Sequence, residues 1–252
     1  MIRMAITRRP GANFADGITT RTGSKPDIAL AQRQHEIYCR ILREVGIEVL
    51  DLPPALEFPD GCFVEDTAVI TPELAVISRP GAPSRRGETR EIRSIIGEIQ
   101  PTAEIRSPGT LDGGDVLIAH GEVFIGLSGR TNTEGARQLA ELLAPMGYRA
   151  KTISVPEGLH LKSSVTQVDE NTLLLTDSLS RHPAFRDFRR WVAAPGETCA
   201  CNCLWINDHL LVPEGFPETR RRLDRLGSPV IAIDSSEFRK MDGGLTCLSL
   251  RL

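Results

Sequence analysis

The sequence predicts an α/β protein made of five similar modules arranged in a ring. Pairs of short apolar runs, each joined by a polar turn, recur four times along the 252 residues. A helix-like segment and a further apolar run follow each pair. Polar residues stand near the module starts at similar intervals, since Asp66, Asp112, His160, Asn207 and Cys247 are separated by 46, 48, 47 and 40 positions. Equivalent positions in a ring of repeats face one axis, so these side chains are expected to meet in a central cleft.

The order of elements within a module is strand, strand, helix, strand. The paired strands are predicted at residues 67–77, 116–126, 164–175 and 203–212. The helices are predicted at residues 26–46, 88–99, 133–146, 183–192 and 217–226. The strands after helices are predicted at residues 47–50, 103–106, 149–154 and 229–233.

The fifth module has no hairpin of its own. Residues 246–252 alternate between small or polar and apolar side chains, as in a half-buried strand, and this strand is predicted to pair with residues 2–7 and close the ring. An open α/β sheet with crossover helices is the competing architecture, but hairpins before the helices argue against it. Residues 1–252 are predicted to form a single domain.

Composition limits the classes of function. The chain is 40% hydrophobic and 25% charged with a net charge of -3, and it has no basic stripe that would indicate a nucleic-acid partner. No apolar run approaches the ~20 residues that span a bilayer, and no signal-peptide core precedes the first module. Six cysteines in such a chain are typical of reduced thiols. We therefore expect a cytoplasmic protein with a small-molecule partner, and a homodimer is compatible with the sequence.

Cys247 and His160 are the candidate nucleophile and acid/base. Cys247 follows the turn Asp242-Gly243-Gly244 at the mouth of the predicted last strand, where a thiolate can meet a small substrate. A histidine cation near it would lower the pKa of the thiol. A buried structural role is the commoner fate of a free cysteine, so this pairing depends on the ring.

Carboxylates follow the same register. Asp60, Glu65 and Asp66 lie in one loop, and Asp112 and Asp115 lie in the equivalent loop of the next module. Acids that converge on a cysteine favour a flat cation such as a guanidinium, which pairs bidentately with carboxylates. Solvated loop acids are the alternative, and for Glu65 and Asp115 that alternative is competitive.

Two further features have a functional and a plainer interpretation. Arg85 and Arg130 lie in loops and would suit a substrate carboxylate, although solvated surface charge is the plainer interpretation. The cluster Cys199, Cys201 and Cys203 suggests zinc, but its spacing places all three on one side of a predicted strand and no histidine is clustered with it. We therefore expect no metal, and the glycine pairs lack the pattern of a nucleotide-binding loop.

The chain resembles the dimethylarginine dimethylaminohydrolase family of the guanidino-group-modifying (amidinotransferase) superfamily. The resemblance rests on motifs that cover most of the chain in order: FPDGCFVEDTAV (58–69), RPGAPSRRGETR (79–90), SPGTLDGGDVL (107–117), GLSGRTN (126–132), GLHLKSS (158–164), CNCLWIN (201–207) and KMDGGLTCLSLR (240–251). It implies a five-bladed α/β propeller of pseudo-symmetric ββαβ repeats. It also implies hydrolysis of Nω-methylated arginines to citrulline and methylamine or dimethylamine, without a cofactor, through a covalent S-alkylthiouronium on cysteine.

The resemblance also implies roles for individual residues. Cys247 would attack the guanidinium carbon, and His160 would protonate the departing amine and then activate water. Asp112 belongs to this catalytic group and, with Asp66, would hold the guanidinium nitrogens. The remaining substrate contacts would come from Ile18, Asp60, Glu65, Asp66, Arg85, Arg130 and Met241. Among these, the arginines would bind the substrate carboxylate and Asp60 the α-amino group, while residues 17–21 would form a lid.

Three alternatives remain at this stage. Arginine deiminases and amidinotransferases share the chemistry but are usually longer. A non-catalytic binding protein on the same propeller, such as the ribosome anti-association initiation factor, would not need a cysteine, a histidine and two acids at its centre.

Overall fold

The computed structural model describes residues 1–155 and 157–252, and its strands form five sheets of three strands each. The strands of the first sheet are β1 (Met4–Arg8), β2 (Glu48–Leu52) and β15 (Leu250–Arg251). Those of the second and third are β3 (Ala68–Ile70), β4 (Ala75–Ile77), β5 (Thr102–Glu104), β6 (Val116–Ala119), β7 (Glu122–Leu127) and β8 (Arg149–Ser154). Those of the fourth and fifth are β9 (Val165–Gln167), β10 (Thr172–Leu175), β11 (Arg189–Val192), β12 (Leu204–Ile206), β13 (His209–Pro213) and β14 (Val230–Ile233).

All five sheets have the same topology. A central strand pairs antiparallel with one neighbour and parallel with the other, as β7 does with β6 and β8. The antiparallel neighbour can be joined by a tight turn, whereas the parallel neighbour needs a longer crossover. The five-bladed α/β propeller is confirmed, and the predicted order of strand, strand, helix, strand recurs in every module except the fourth, which has 3-10 turns in place of the helix.

The first sheet contains both ends of the chain. β15 pairs antiparallel with β1, with Ala5 opposite Arg251 and Ile6 opposite Leu250, and β2 completes the sheet in parallel. The predicted ring closure is therefore confirmed. The last strand is shorter than predicted, because the backbone at Thr246–Leu248 forms a 3-10 turn before β15 begins.

Within residues 1–155 and 157–252, five helices connect or flank the strands. They are α1 (Ile28–Glu44), α2 (Thr89–Gly97), α3 (Thr133–Leu143), α4 (Pro217–Leu223) and α5 (Ser236–Arg239). α3 begins where predicted, since the Asn132 side chain accepts a hydrogen bond from the Gly135 amide and caps the helix. The predicted helix at 183–192 is wrong: a 3-10 turn at Pro183–Phe185 precedes β11, because Arg189–Val192 pairs with β10 in the parallel position that completes the fourth sheet.

A short 3-10 turn precedes the first strand of every repeat and directs side chains at the axis. These turns are Val64–Thr67, Gly113–Asp115, Leu161–Ser163, Thr198–Cys201 and Thr246–Leu248. Neighbouring turns contact one another around most of the ring, from Thr246–Leu248 through Val64–Thr67 to Thr198–Cys201. Asn207, which the spacing placed in this series, lies instead on the hairpin between β12 and β13, where it bonds the backbone of Ile2. Asn202 takes its place near the axis, because its amide bonds Lys162 and Thr246.

Apolar side chains fill the spaces between neighbouring sheets. Leu139 of α3, for example, is fully buried in a cluster with Val76, Val123 and Ile125 from two sheets. The ring therefore rests on packing between modules, which holds the axial turns in register. None of the helices within the described part of the chain is both long and apolar enough to cross a membrane.

Leu139→Ala is expected to lower the free energy of unfolding by about 2–5 kcal/mol, because it leaves a cavity between two sheets. Leu142→Ala on the same helix is the control, since Leu142 is only partly buried and should cost clearly less. Urea unfolding followed by circular dichroism measures both, and equal losses would contradict the packing described here.

Candidate active site

The 3-10 turns surround a small pocket of about 20 Å³ at the axis. It is lined by Ile18, Asp60, Phe63, Asp66, Arg85, Arg130, Leu159, His160, Met241, Asp242, Gly243 and Cys247. Eight of the ten residues named above for catalysis or substrate contact are among these. The exceptions are Glu65 and Asp112.

Cys247 is held at the pocket by the turn that precedes it. Gly244 donates its amide hydrogen to Sγ of Cys247 at 3.4 Å. A β-carbon on Gly244 would lie 2.4 Å from Cγ of Asn202, so only glycine fits there. The Asn202 side chain in turn accepts a hydrogen bond from the Thr246 amide at 2.9 Å, which fixes the backbone next to the thiol.

His160 lies between two carboxylates. Its Nε2 is 3.0 Å from Oδ2 of Asp112, and its Nδ1 is 3.9 Å from Oδ1 of Asp66. Burial disfavours the imidazolium, but Asp66, Asp112 and Asp115 outweigh that cost and raise the pKa of His160 to about 9. Gly114 makes the approach possible, since a β-carbon there would lie 2.7 Å from Nδ1 of His160.

Burial raises the pKa of the Cys247 thiol to about 12, and the carboxylates of Glu65 and Asp66 add to the rise. The substrate-free site therefore pairs a neutral thiol with a protonated imidazole at neutral pH. Such a site can donate a proton from His160 at once, but it needs a positive charge near Sγ before the thiolate forms.

Asp112 is fully buried behind His160 and does not line the pocket. Its Oδ1 accepts a hydrogen bond from the Gly81 amide at 2.9 Å, and its Oδ2 faces His160. This arrangement orients the imidazole, as a carboxylate does in nucleophile–histidine–acid sites. Asp115 helps to hold the backbone next to His160, because its carboxylate accepts hydrogen bonds from the Leu161 amide and from the hydroxyls of Ser128 and Thr131.

Asp66 faces the pocket and is held ionised. Its Oδ2 is 2.5 Å from Nη1 of Arg85, and its Oδ1 accepts the Gly114 amide at 2.9 Å. Burial raises its pKa, but His160 and Arg85 reverse that effect and lower it to about 2. Arg85 also bonds Glu88 and the carbonyls of Asp60 and Phe63, so most of its donors are already used.

Arg130 differs from Arg85 in having a free donor. Its Nη1 is buried and has no hydrogen-bond partner among the described residues, and it lies 3.6 Å from Oδ2 of Asp112. A buried, unsatisfied guanidinium nitrogen beside a pocket is a site for an anionic group.

Glu65 lies beneath the pocket. Its carboxylate bonds Lys162 at 2.6 Å, Arg251 at 2.8 Å and the Thr246 hydroxyl at 2.7 Å. Burial raises its pKa, but Lys162 and Arg251 lower it overall. These contacts join three axial turns and leave the carboxylate no face toward the pocket.

The residues predicted as a lid cover the pocket. The Ile18 amide donates to the Asp60 carboxylate at 3.1 Å, and the Ile18 side chain lines the pocket while remaining 41% exposed. Thr19, Thr20 and Arg21 all bond the carboxylate of Asp242. Sequence reasoning did not assign Asp242 a role, although its position between Met241 and Gly243 was a usable signal.

The spacing of the three clustered cysteines suggested that all of them lie on one side of a strand, and this prediction is wrong. Cys199 and Cys201 belong to the 3-10 turn before β12, and Cys203 is buried with its thiol donating to the Ala200 carbonyl at 3.0 Å. Asp66, Asp112 and His160 are close enough to hold a metal ion. A metal there would compete with Arg85 for Asp66, so the donor set fits poorly and we assign it no metal.

Comparison with known proteins places this site in a family. A model of the arginine deiminase family matches residues 58–198. The chain is 40% identical over 253 residues to an N(G),N(G)-dimethylarginine dimethylaminohydrolase of Pseudomonas aeruginosa, with all of both chains covered. It is 37% identical over 252 residues to the enzyme of that name from Streptomyces coelicolor, covering 99% of this chain and 97% of the relative.

The chain belongs to the dimethylarginine dimethylaminohydrolase family. The family assignment that the motifs carried is thereby confirmed. A solved dimethylarginine dimethylaminohydrolase from P. aeruginosa, a cysteine-to-serine mutant complexed with citrulline, superimposes with a TM-score of 0.98 at 39% identity over the whole of both chains. The five-sheet ring described above is therefore the fold of this family.

Alkylation of Cys247 by iodoacetamide in the substrate-free protein should be slow at neutral pH and accelerate about tenfold per pH unit below the thiol pKa. The physical reason is that burial and nearby carboxylates raise the pKa of this thiol to about 12. Mass spectrometry of the labelled peptide measures the rate, with Cys247→Ser as the control for the other five thiols. A rate that is already constant at about pH 7 would contradict a neutral resting thiol.

Proposed function

We propose that this protein hydrolyses Nω-methylated arginines to citrulline and dimethylamine or methylamine. One observation carries the proposal: the side chains of Cys247, protonated His160 and ionised Asp66 all line the same pocket. A planar cation matches this arrangement, because its charge pairs with Asp66 and its carbon can lie next to Sγ.

Binding of the substrate converts the Cys247 thiol to the nucleophilic thiolate. A guanidinium in the pocket puts positive charge beside Sγ of Cys247, which lowers the pKa of the thiol, and the thiol proton leaves to solvent. The thiolate then forms a bond to the guanidinium carbon. Asp66 stays ionised throughout, because Arg85 and the Gly114 amide hold it, and it keeps the positive charge of the substrate in place.

His160 transfers the protons of both half-reactions. The imidazolium gives its proton to the departing dimethylamine as the carbon–nitrogen bond breaks, leaving an S-alkylthiouronium on Cys247. The neutral imidazole then takes a proton from an attacking water. The carbon–sulfur bond breaks to release citrulline, so one water is consumed for each dimethylamine formed. Asp112 keeps Nε2 of His160 oriented during both steps, while a contact of Asp112 with the guanidinium itself stays a prediction.

The amino-acid end of the substrate would be bound at the rim. Arg130 has the free donor that a substrate carboxylate needs, and Asp60 with the backbone carbonyls of Ile18 and Met241 suits the α-amino group. Arg85 would act mainly by holding Asp66. Glu65 would act through Lys162 and Arg251, beneath the substrate, and its predicted direct contact with substrate stays a prediction.

The lid must open during turnover. The pocket of about 20 Å³ has room for about one water molecule, far less than an arginine derivative requires. Residues 17–21 cover it through contacts with Asp60 and Asp242, so breaking these contacts admits the substrate.

Purified protein given asymmetric dimethylarginine should form citrulline and dimethylamine, and Cys247→Ser should form neither, because the hydroxyl is a far weaker nucleophile than the thiolate. Citrulline is measured colorimetrically and the amine by chromatography. Cys203→Ser, a buried cysteine outside the pocket, is the matched control and should retain turnover. Arginine and monomethylarginine tested in parallel separate this activity from that of an arginine deiminase, and binding without any ureido product would overturn the proposal.

Arg130→Gln should raise KM for dimethylarginine about 10- to 100-fold, since a hydrogen bond to a charged group contributes about 1.5–3 kcal/mol. Arg86→Gln is the control, because Arg86 bonds the Pro80 carbonyl and does not line the pocket. Steady-state kinetics distinguish the two variants. If KM were unchanged in Arg130→Gln, Arg130 would not be the carboxylate contact.

A further inference from the structure

A second cluster of metal-binding side chains lies in the first module, outside the pocket. His35 and Cys39 of α1 and Asp51 of β2 each offer one ligand atom, and these atoms all lie within 4.8 Å of one another. None of the three lines the pocket around Cys247, and the chemistry proposed above uses none of them.

The sequence creates this cluster in two ways. His35 and Cys39 are four residues apart in α1, so their side chains lie on the same helix face. That face packs on the sheet, which leaves His35 1% and Cys39 3% exposed. β2 runs parallel to β1 with Asp51 opposite Thr7, and this register brings a carboxylate beneath the helix.

The distances approach those of a tetrahedral zinc site. Sγ of Cys39 is 3.7 Å from Nδ1 and 3.8 Å from Nε2 of His35, and Nε2 is 3.9 Å from Oδ1 of Asp51. Zinc bonds of about 2.0–2.3 Å in tetrahedral geometry separate ligand atoms by roughly 3.5 Å. Closing the site around an ion therefore needs a turn of the His35 ring that points Nε2 at the metal, with movements of up to about 1 Å in ligand atoms that already lie within 4.8 Å of one another.

The surroundings also suit a metal. The second oxygen of Asp51 bonds Nε of Arg9 at 2.6 Å, and Oδ1 accepts a hydrogen bond from the Thr7 hydroxyl, so the carboxylate is oriented as metal-bound carboxylates usually are. The Thr7 hydroxyl also lies 3.5 Å from Sγ of Cys39, so it contacts two of the three ligands. Zn²⁺ with one thiolate, one carboxylate and a neutral imidazole carries no net charge, which lowers the cost of burial.

We propose that His35, Cys39 and Asp51 form a zinc-binding site that fastens α1 to the first sheet. The Cys39 thiol gives its proton to solvent as the zinc–sulfur bond forms. α1 also contacts both flanks of the segment that carries the nucleophile: Gln34 accepts the Glu237 amide, and the Tyr38 hydroxyl bonds that of Ser249 at 2.8 Å. Zinc at this site therefore stabilises the position of that segment without touching the substrate.

The test uses Co²⁺ as a spectroscopic probe on chelator-treated Cys247→Ser protein, which lacks the thiol of the pocket. One cobalt per chain should bind with a thiolate-to-cobalt absorption in the near ultraviolet, and added Zn²⁺ should remove that absorption. Adding Cys39→Ser to this background should abolish the band, whereas adding Cys201→Ser, another buried cysteine, should leave it. Absence of the band with excess cobalt, or its persistence without Cys39, would overturn the proposal.

Two further measurements keep the test independent of the folding of Cys39→Ser. His35→Gln and Asp51→Asn should each weaken zinc binding at least about tenfold and reduce the zinc-dependent rise in melting temperature. X-ray absorption of zinc-loaded Cys247→Ser protein should show a single sulfur ligand with nitrogen and oxygen. Two or more sulfur ligands would indicate the Cys199–Cys203 region and would refute the site proposed here.

Discussion

The structure depends on pairing buried charges along the axis of the ring. An unpaired ion in such an interior costs several kcal/mol, so each carboxylate that the turns direct inward needs a cation. Asp66 is matched by Arg85, Glu65 by Lys162 and Arg251, and Asp112 by His160. Arg85 lies in the same module as Asp66, whereas the partners of Glu65 and Asp112 come from other modules. For these last two carboxylates, correct assembly of the ring and pairing of the charge are therefore one condition.

The same pairing prepares the chemistry. Carboxylates that face His160 keep it protonated, while burial and the nearby carboxylates raise the pKa of the Cys247 thiol and keep it neutral. In the proposed mechanism, a guanidinium in the pocket supplies the positive charge that favours the thiolate. Selectivity for cationic substrates follows from this requirement, and the lid contacts at Asp242 add the exclusion of water.

The periodicity of the sequence was sufficient to predict the five modules, the ring closure and a pocket shared by Cys247 and His160. The reason is that equivalent positions in a ring of repeats converge on its axis. Periodicity failed where tertiary pairing overrides local pattern, as at residues 183–192, which form a turn and a strand. It also could not show that Glu65 lies beneath the pocket or that Arg85 is largely used by Asp66 and Glu88. Residue spacing locates a side chain near the axis, but hydrogen-bond partners decide which way it faces.

The last strand has a consequence for how the nucleophile is retained. β15 spans only Leu250–Arg251, and beyond it the backbone of Leu252 bonds that of Arg3 and Met4, so a short ladder holds the segment that begins at Thr246. Side-chain contacts add to this ladder, since Arg251 bonds the Glu65 carboxylate and the Tyr38 hydroxyl bonds that of Ser249. Local opening of this edge would release the thiol to solvent without unfolding the other four sheets. The amides of the final residues should therefore exchange with deuterium sooner than those of the inner strands, and inactivation by oxidants would follow the frequency of that opening.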